Sequence, residues 1–387
     1  MSKKAKLPKR SKRKATAVFA AGAAVFALAG PSAAASAAAH PVTQAAVDKY
    51  RAGNGAPGAE AVVREQDELW GVTSGTKVLG QNQPFGPDDQ IRAGSLTKPF
   101  TAAMVLQLVA EGRVDLDASV ETYLPGVVRG NGYDGNRISV RQLLNHTSGV
   151  ADYLWLGGGL NPIEQLRPHT LAEVAGWGLA QPPLFEPGAR YQYSNTNFIL
   201  AGMIIEKVTG NTYDRELADR ITTPLGLTKT YLPKPGDKTL PPGHARGYVG
   251  RYLYVDFTEL IEPSVGLSGG GLVTSGADAT RFFQALAAGE VVPPAQLAEM
   301  FQPAEGGPAY GYGLGVERFQ LPCGGEAWGH YGLWPGYQSV AAATADGRAA
   351  FVAGNVINNL AGESGSVGGG GAVHRGVTVT EVLCDQG

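Results

Sequence analysis

A serine and a lysine three residues apart carry the strongest chemical signal in the sequence. Residues 95–98 read Ser-Leu-Thr-Lys and open a long apolar segment. On a helix that spacing places Lys98 one turn after Ser95 on the same face. An unprotonated amine there can take the serine proton, and a helix N-terminus favours the developing negative charge. The matches at 11–14 and 74–77 open no such helix, so Ser95 is the candidate nucleophile and Lys98 its candidate base.

Two further triplets carry groups that suit hydrolysis. Tyr193-Ser194-Asn195 precedes a second apolar helix, and His330-Tyr331-Gly332 ends a predicted strand. A phenol can relay a proton to a leaving group, and a carboxamide can bind an acyl side chain. Taken alone, Tyr193-Ser194-Asn195 is better explained as a loop tyrosine beside a capping residue. His374-Arg375-Gly376, in the glycine-rich tail, matches the histidine triplet equally well.

The remaining histidines and a second serine motif receive structural interpretations. We expect His146, His169 and His244 to cap turns or to lie satisfied in loops. Residues 266–270 fit the G-x-S-x-G elbow of α/β-hydrolases, which must follow a buried strand and open a helix. Pro263 precedes the motif and further glycine follows it, so we predict that Ser268 lies in a structural loop.

The elements that must position these residues fall into two groups. Residues 95–110 are apolar nearly all round and predict a helix buried on all sides, ended near Gly112. Residues 197–208 predict a second helix ended at Gly210, and 277–288 a third that begins near Ser275. Strand-like segments occur only toward the two chain ends; they are 61–63, 69–72, 310–319, 327–332, 337–344 and 348–356.

This order predicts an α+β fold in which an antiparallel sheet is built from both chain ends and flanked by helices. We place the sheet region at about 40–94 and 306–387, with an all-helical region of about 95–305 inserted between them. The composition of 365–371 is that of a flexible linker.

The first 39 residues resemble a secretory signal peptide. Eight of the first 14 residues are basic, 15–30 are apolar, and 31–39 are small, which predicts cleavage near Ala37 or Ala39. A basic nuclear-type tract or a retained anchor is the alternative, but the apolar span is shorter than the roughly 20 residues of a membrane helix. We therefore expect a secreted, extracellular protein without a transmembrane anchor after cleavage.

Charge and cysteine usage agree with export. Residues 40–387 hold 24 basic against 34 acidic side chains, a formal charge of −10, which excludes a basic nucleic-acid footprint. Cys323 and Cys384, the two cysteines of the chain, should form a disulfide outside the cell. Two cysteines and six scattered histidines make no metal-ligand cluster, so we expect neither a metal nor a cofactor.

The combination of S-x-x-K, then Y-x-N about a hundred residues later, then H-x-G on a late strand resembles the penicillin-recognising serine hydrolases. The similarity is to the side of that family that includes class C β-lactamases and secreted serine D-alanyl-D-alanine carboxypeptidases. It extends over most of 40–360, with the clearest stretches at 94–100, 114–120, 123–126, 193–198, 201–210 and 311–315. A disulfide between Cys323 and Cys384 also fits the resemblance.

The resemblance implies a role for each site residue. Ser95 would form the acyl-enzyme, with Lys98 or Tyr193 as the acylation base, and Tyr193 would pass the proton to the leaving group. Asn195 would bind the acyl amide, and His330 takes the place of the lysine in the family's K-T-G motif. Backbone N–H groups of Ser95 and Leu333 would form the oxyanion hole.

The sequence departs from the family at the positions that receive a substrate's terminal carboxylate. The carboxypeptidases have an arginine on the strand after the run that matches 311–315, and hydroxyl groups within and after the triplet that ends here at Gly332. At the matching positions this chain has Glu317, Tyr331 and Leu333. Two carboxylates repel, and Leu333 offers no donor. Arg318 should point to the opposite face of its strand.

The resemblance implies a hydrolase acting on D-Ala-D-Ala-type peptides, and the altered positions keep an esterase or D-amino-acid amidase as the alternative. A non-catalytic binding protein on the same fold is a more remote one. The expected partners are a small peptide, ester or β-lactam substrate, including peptidoglycan fragments, and no nucleic acid. We expect a monomer.

Overall fold

The computed structural model describes residues 1–2, 37–154, 158–358 and 378–385. Most of the predicted signal peptide, the linker 365–371 and His374 lie outside these residues. The α-helices are α1 (Pro41–Asn54), α2 (Thr97–Ala110), α3 (Val120–Tyr123), α4 (Val140–Leu144), α5 (Leu171–Leu179), α6 (Asn195–Thr209), α7 (Tyr213–Leu217), α8 (Thr223–Leu225), α9 (Leu267–Gly270), α10 (Gly276–Ala287) and α11 (Pro294–Met300). The strands are β1 (Gly58–Glu65), β2 (Glu68–Gly75), β3 (Gln90–Arg92), β4 (Arg129–Gly130), β5 (Tyr133–Asp134), β6 (Tyr248–Val249), β7 (Val255–Asp256), β8 (Val273–Ser275), β9 (Glu317–Gln320), β10 (Glu326–Trp334), β11 (Tyr337–Thr344), β12 (Ala349–Gly354) and β13 (Val356–Ile357).

A six-stranded antiparallel sheet joins the two ends of the chain, as predicted. Its order is β2-β1-β12-β11-β10-β9, and β1 pairs with β12 in a register that sets Val62 opposite Phe351. The predicted α+β architecture is therefore confirmed. Short strands interrupt the inserted helical region, and one of them, β8, pairs with β3 just before Ser95.

Two apolar cores lie on opposite faces of this sheet. The smaller one packs α1 and the helical residues 378–384 against the sheet. The larger one holds α2, α6 and α10, with α10 against β1, β11 and β12. Burial of α2 is nearly complete, which explains why its sequence is apolar all round. No helix among the described residues is both long and apolar enough to cross a membrane.

The predicted helix ends are close to the observed ones. Gly210 takes a left-handed backbone, φ 78°, at the end of α6, where glycine avoids the steric cost of a Cβ. The Ser275 hydroxyl accepts the Asp278 backbone N–H at 3.3 Å and caps α10. Ser95 itself lies in a 3₁₀ turn, Gly94–Leu96, directly before α2.

The prediction of one strand over 310–319 was wrong. Gly311 and Gly315 have φ of 88° and 75°, so the chain turns twice before β9 begins at Glu317. The apolar and aromatic residues of this segment suggested a strand, but the two glycines within it indicate the turns.

The C-terminal segment is tied to both the sheet and α1. Cys384 is bonded to Cys323, which lies between β9 and β10. The Asp385 carboxylate accepts the Thr43 backbone N–H at 3.0 Å and its hydroxyl at 2.6 Å, which satisfies a donor in the first turn of α1.

Candidate active site

Close approach of β10 to the Ser95 turn forms the floor of the candidate site. Gly94 has φ +55°, and a Cβ there would lie 2.2 Å from the Leu333 carbonyl oxygen. A Cβ at Gly332 would lie 2.1 Å from the Ala93 carbonyl oxygen. Glycine at both positions therefore lets the Leu333 backbone lie beside Ser95.

The Lys98 amine is fully buried and has three polar neighbours. Its Nζ lies 2.9 Å from Ser95 Oγ, 2.8 Å from Asn195 Oδ1 and 2.6 Å from the Gly269 carbonyl oxygen. Asn195 Nδ2 donates to Asp152 Oδ2 at 3.0 Å, which turns Asn195 Oδ1 toward the lysine. A neutral amine has two N–H donors for Asn195 and Gly269, and its lone pair then faces the Ser95 hydroxyl.

Electrostatics favour that neutral amine. Burial lowers the pKa of Lys98 from 10.5 to about 7, although the carboxylates of Asp152 and Glu317 act in the opposite direction. Burial also raises the pKa of Asp152 to about 6. A large fraction of Lys98 is therefore able to accept a proton near neutral pH.

Tyr193 contributes a hydroxyl to the same point. Its Oη donates to Ser95 Oγ at 2.8 Å, and Lys98 Nζ lies 4.8 Å from the centre of its ring. Burial raises the pKa of the Tyr193 phenol well above its ordinary value. The group is therefore a protonated phenol near neutral pH, able to donate a proton but poor as a base.

His330 is a buried imidazole, and each of its ring nitrogens has a hydrogen-bond partner. It is 1% exposed, its Nδ1 lies 2.6 Å from the Tyr331 carbonyl oxygen, and its Nε2 lies 3.0 Å from Tyr312 Oη. Burial, followed by the charge of Lys98, lowers the pKa of His330 to about 3. The position therefore holds no cation, unlike the lysine that the resembled family has there.

A carboxylate, rather than a guanidinium, faces His330 from β9. Glu317 is the first residue of β9, and its Oε1 lies 3.7 Å from His330 Nε2. Arg318 Nε instead donates to the Tyr310 carbonyl oxygen at 3.2 Å. This side of the site is thus acidic.

The prediction that the Tyr331 side chain contacts substrate is corrected by the structure. Its ring makes an edge contact with Phe319, at 5.3 Å between centroids, in the smaller core beside α1. His330 is on the other face of β10, because neighbouring side chains of a strand alternate. Leu333 remains close to Ser95 through its backbone.

Three residues that sequence reasoning did not assign to the site lie within it: Asp152, Tyr312 and His146. His146 lies satisfied in the turn after α4, as predicted, but it is fully buried beside the site, with its Nε2 3.1 Å from Tyr312 Oη. A usable signal was the polar run 145–149 between apolar Leu144 and Val150. His244 lies in a loop with its Nδ1 2.8 Å from the Pro241 carbonyl oxygen, as predicted. His169 also lies in a loop, with its Nε2 2.6 Å from the Glu164 carbonyl oxygen, but its buried Nδ1 has no hydrogen-bond partner among the described residues.

Ser268 is placed away from this chemistry. It lies on α9, a single helical turn rather than a loop, is fully buried, and donates its Oγ hydrogen to the Phe198 carbonyl oxygen at 2.8 Å. Among the described residues, no three His, Cys, Asp or Glu side chains are grouped so that they could hold a metal ion.

Comparison with known proteins identifies relatives over most of the chain. The Beta-lactamase family model matches residues 43–360. The chain is 28% identical to Penicillin-binding protein 4* of Bacillus subtilis over 291 residues, 71% of this chain and 62% of that protein. The chain spans less than two thirds of the length of the curated relatives it matches first.

Solved structures also include proteins similar to this chain over most of its length. A D-stereospecific amidohydrolase from a Streptomyces species is 39% identical, with a TM-score of 0.75 over 82% of this chain and 95% of that one. The D-amino acid amidase of Ochrobactrum anthropi SV3, in complex with L-phenylalanine amide, is 26% identical, with a TM-score of 0.76 over 89% of this chain and 97% of that one.

Proposed function

Because this chain belongs to the Beta-lactamase family, we propose that it is a serine hydrolase that acts through an acyl-enzyme on Ser95. The observation that carries the proposal is the convergence of Lys98 Nζ and Tyr193 Oη on Ser95 Oγ, at 2.9 and 2.8 Å. A base and an acid on one hydroxyl supply both proton transfers that acyl transfer requires.

The reaction starts from neutral Lys98. Its amine takes the Ser95 hydroxyl proton while Oγ bonds to the substrate carbonyl carbon. The bond from that carbon to the leaving nitrogen or oxygen then breaks, and the leaving atom takes the phenol proton of Tyr193. The proton held by Lys98 restores the phenol, which leaves an ester on Ser95 and both side chains in their starting states. Water then hydrolyses this ester with the same two groups.

Backbone groups at the close approach of β10 suit the charge that develops on the substrate oxygen. In this proposal the N–H groups of Ser95 and Leu333 form the oxyanion hole. Main-chain donors do not depend on the Leu333 side chain, so the departure from the family at this position leaves them intact.

The acidic side of the site supports amides and esters without a terminal carboxylate as the preferred substrates. Glu317 lies beside His330, where a leaving group would meet it, and repels a free carboxylate. We therefore propose a D-amino-acid amidase or esterase activity, supported by the similarity to the Streptomyces D-stereospecific amidohydrolase. D-Ala-D-Ala carboxypeptidase activity is the second candidate, favoured by the similarity to Penicillin-binding protein 4*.

We also propose that the protein is exported as a monomer after removal of residues 1–39. The basic, apolar and small-residue order of that segment supports export. The bond between Cys323 and Cys384 suits an oxidising compartment.

A substrate panel tests the proposed function. We expect the protein to hydrolyse D-alanine amide and ester derivatives faster than free-acid D-Ala-D-Ala peptides and faster than their L-enantiomers. A fluorescent penicillin should label it covalently. Preference for the free acid would instead support the carboxypeptidase, and absence of both turnover and label would indicate a binding protein.

The pH profile should follow Lys98. Because its pKa is lowered to about 7 and the neutral amine is the base, acylation of a non-titrating ester should rise tenfold per pH unit below about 7 and level off above it. Lys98→Arg, which stays charged, should remove this rise together with the activity. A rate that falls as the pH increases through 7 would contradict a neutral lysine base.

A further inference from the structure

His146 has a backbone conformation that needs an explanation. It is fully buried, and its φ of +60° lies in the left-handed region that non-glycine residues rarely adopt. Such conformations persist where the surroundings impose them, and they cluster at functional sites. The contacts of His146 show what imposes this one.

His146 forms hydrogen bonds with the backbone on both sides of Tyr193. Its carbonyl oxygen accepts the Gln192 backbone N–H at 2.9 Å, and its Nδ1 accepts the Ser194 backbone N–H at 3.2 Å. The His146 ring lies 4.3 Å from the Tyr193 ring between centroids. The phenol that donates to Ser95 is therefore held by three contacts with one residue.

A series of hydrogen bonds fixes which ring nitrogen of His146 carries the proton. The Val150 backbone N–H donates to Ser148 Oγ at 3.1 Å, so the Ser148 hydrogen goes to Asn197 Oδ1 at 2.6 Å. Asn197 then turns Nδ2 toward His146 Nδ1, 3.2 Å away. Two donors therefore meet Nδ1, which must be the acceptor, and the proton is on Nε2.

The same logic continues to His330. His146 Nε2–H donates to Tyr312 Oη at 3.1 Å, and the Tyr312 hydroxyl donates to His330 Nε2 at 3.0 Å. The His330 proton is then on Nδ1, where it reaches the Tyr331 carbonyl oxygen at 2.6 Å. A backbone donor begins the chain and a backbone carbonyl ends it, so its direction cannot reverse.

We propose that His146 is a positioning residue that aims the Tyr193 hydroxyl at the leaving group and, through Tyr312, holds His330 as an uncharged imidazole protonated on Nδ1. The first half rests on the proposed function, in which Tyr193 protonates the leaving atom. The second half rests on the hydrogen-bond directions alone.

Positioning of Tyr193 has a kinetic signature that a purely structural role lacks. An amine leaves only after it is protonated, whereas p-nitrophenolate leaves readily without a proton. Loss of the His146 contacts that hold Tyr193 should therefore slow amide hydrolysis far more than p-nitrophenyl ester hydrolysis. Loss of folded protein would slow both equally.

Two substitutions of His146 test the side-chain contacts that hold Tyr193. His146→Gly removes the side chain at a position where glycine suits the left-handed backbone. His146→Asn also tolerates that backbone and keeps an oxygen near the site of Nδ1. We expect kcat/KM, which reports acylation, to fall about 100-fold for a D-alanine amide in His146→Gly and less than about fivefold for the p-nitrophenyl ester. His146→Asn should regain at least tenfold on the amide.

Tyr312→Phe is the matched control. It removes the hydroxyl that connects His146 to His330 and leaves the contacts between His146 and Tyr193 in place. Its amide-to-ester ratio should stay within about twofold of that of the native protein. Two results would contradict this positioning role. One is an amide-to-ester ratio that falls in Tyr312→Phe as far as in His146→Gly, and the other is an equal loss of activity on both substrates in His146→Gly.

Nitrogen NMR of histidine-labelled protein tests the hydrogen-bond chain without any substrate. The groups that face His330 are Glu317, Lys98, Tyr193 and Tyr312. We expect His330 neutral and protonated on Nδ1 near pH 7, and His146 neutral and protonated on Nε2. An imidazolium, or the opposite proton position on either ring, would refute the chain. Failure of the native protein to label or to turn over would instead refute the proposed function and leave this measurement valid.

Discussion

Ser95→Ala should abolish covalent labelling by a fluorescent penicillin or a fluorophosphonate. Turnover should fall by about 10⁴-fold or more, because the substitution removes the oxygen that forms the acyl-enzyme. Lys98 Nζ would keep its bonds to Asn195 and Gly269, so the site should remain assembled. Labelling followed by mass spectrometry of the modified peptide measures the result.

Ser268→Ala is the control for this experiment. The Ser268 hydroxyl bonds only the Phe198 carbonyl oxygen among the described contacts, so its loss should lower the free energy of unfolding by about 1 kcal/mol and leave the label in place. Label that persists in Ser95→Ala and disappears in Ser268→Ala would assign the nucleophile to the G-x-S-x-G motif instead.

The second large effect concerns the charge of the leaving group. A like-charge contact at about 4 Å costs on the order of 1–4 kcal/mol, which corresponds to roughly a fivefold to several-hundred-fold difference in kcat/KM. The native protein should therefore prefer a C-terminally amidated D-Ala-D-Ala peptide over the free acid by that factor. Glu317→Gln, which keeps the shape and removes the charge, should bring the ratio close to one.

Glu317 raises the pKa of Lys98, so Glu317→Gln also changes the fraction of Lys98 that is neutral. The ratio is therefore best measured above pH 7, where Lys98 is mostly neutral in both proteins. Arg318→Gln is the matched control one residue along β9. Arg318 bonds the Tyr310 carbonyl and lies 3.9 Å from Glu326, so its loss should not change the ratio. A native preference for the free acid that disappears in Arg318→Gln would place the guanidinium, rather than Glu317, at the leaving group.

Local patterns predicted much of the fold because they have local causes. Gly210 ends α6 where its sequence suggested, and the alternation of β10 separates His330 from Tyr331. The same alternation could have excluded the Tyr331 side chain from the site. Sequence similarity alone suggested it, since family positions are matched along the chain and not by the face of the strand.

The role of His146 depends on contacts that no local pattern reports. Its Tyr312 partner is 166 residues away, and the two meet because α4 and the turn before β9 pack around α2 and α6. Asp152 meets Asn195 in the same way, across 43 residues. A buried polar residue in a loop can be recognised from sequence as unusual, but its partner is set by tertiary packing.

The pairing of β1 with β12 has a consequence for how the protein is made. β1 has emerged from the ribosome long before its neighbour β12 exists, and Asp385, which caps α1, emerges later still. The six-stranded sheet therefore cannot be completed until nearly all of the chain has been synthesised. Pairing between such distant segments also makes folding slow. Until β12 pairs with it, the apolar segment of β1 is exposed, which is when aggregation competes with folding.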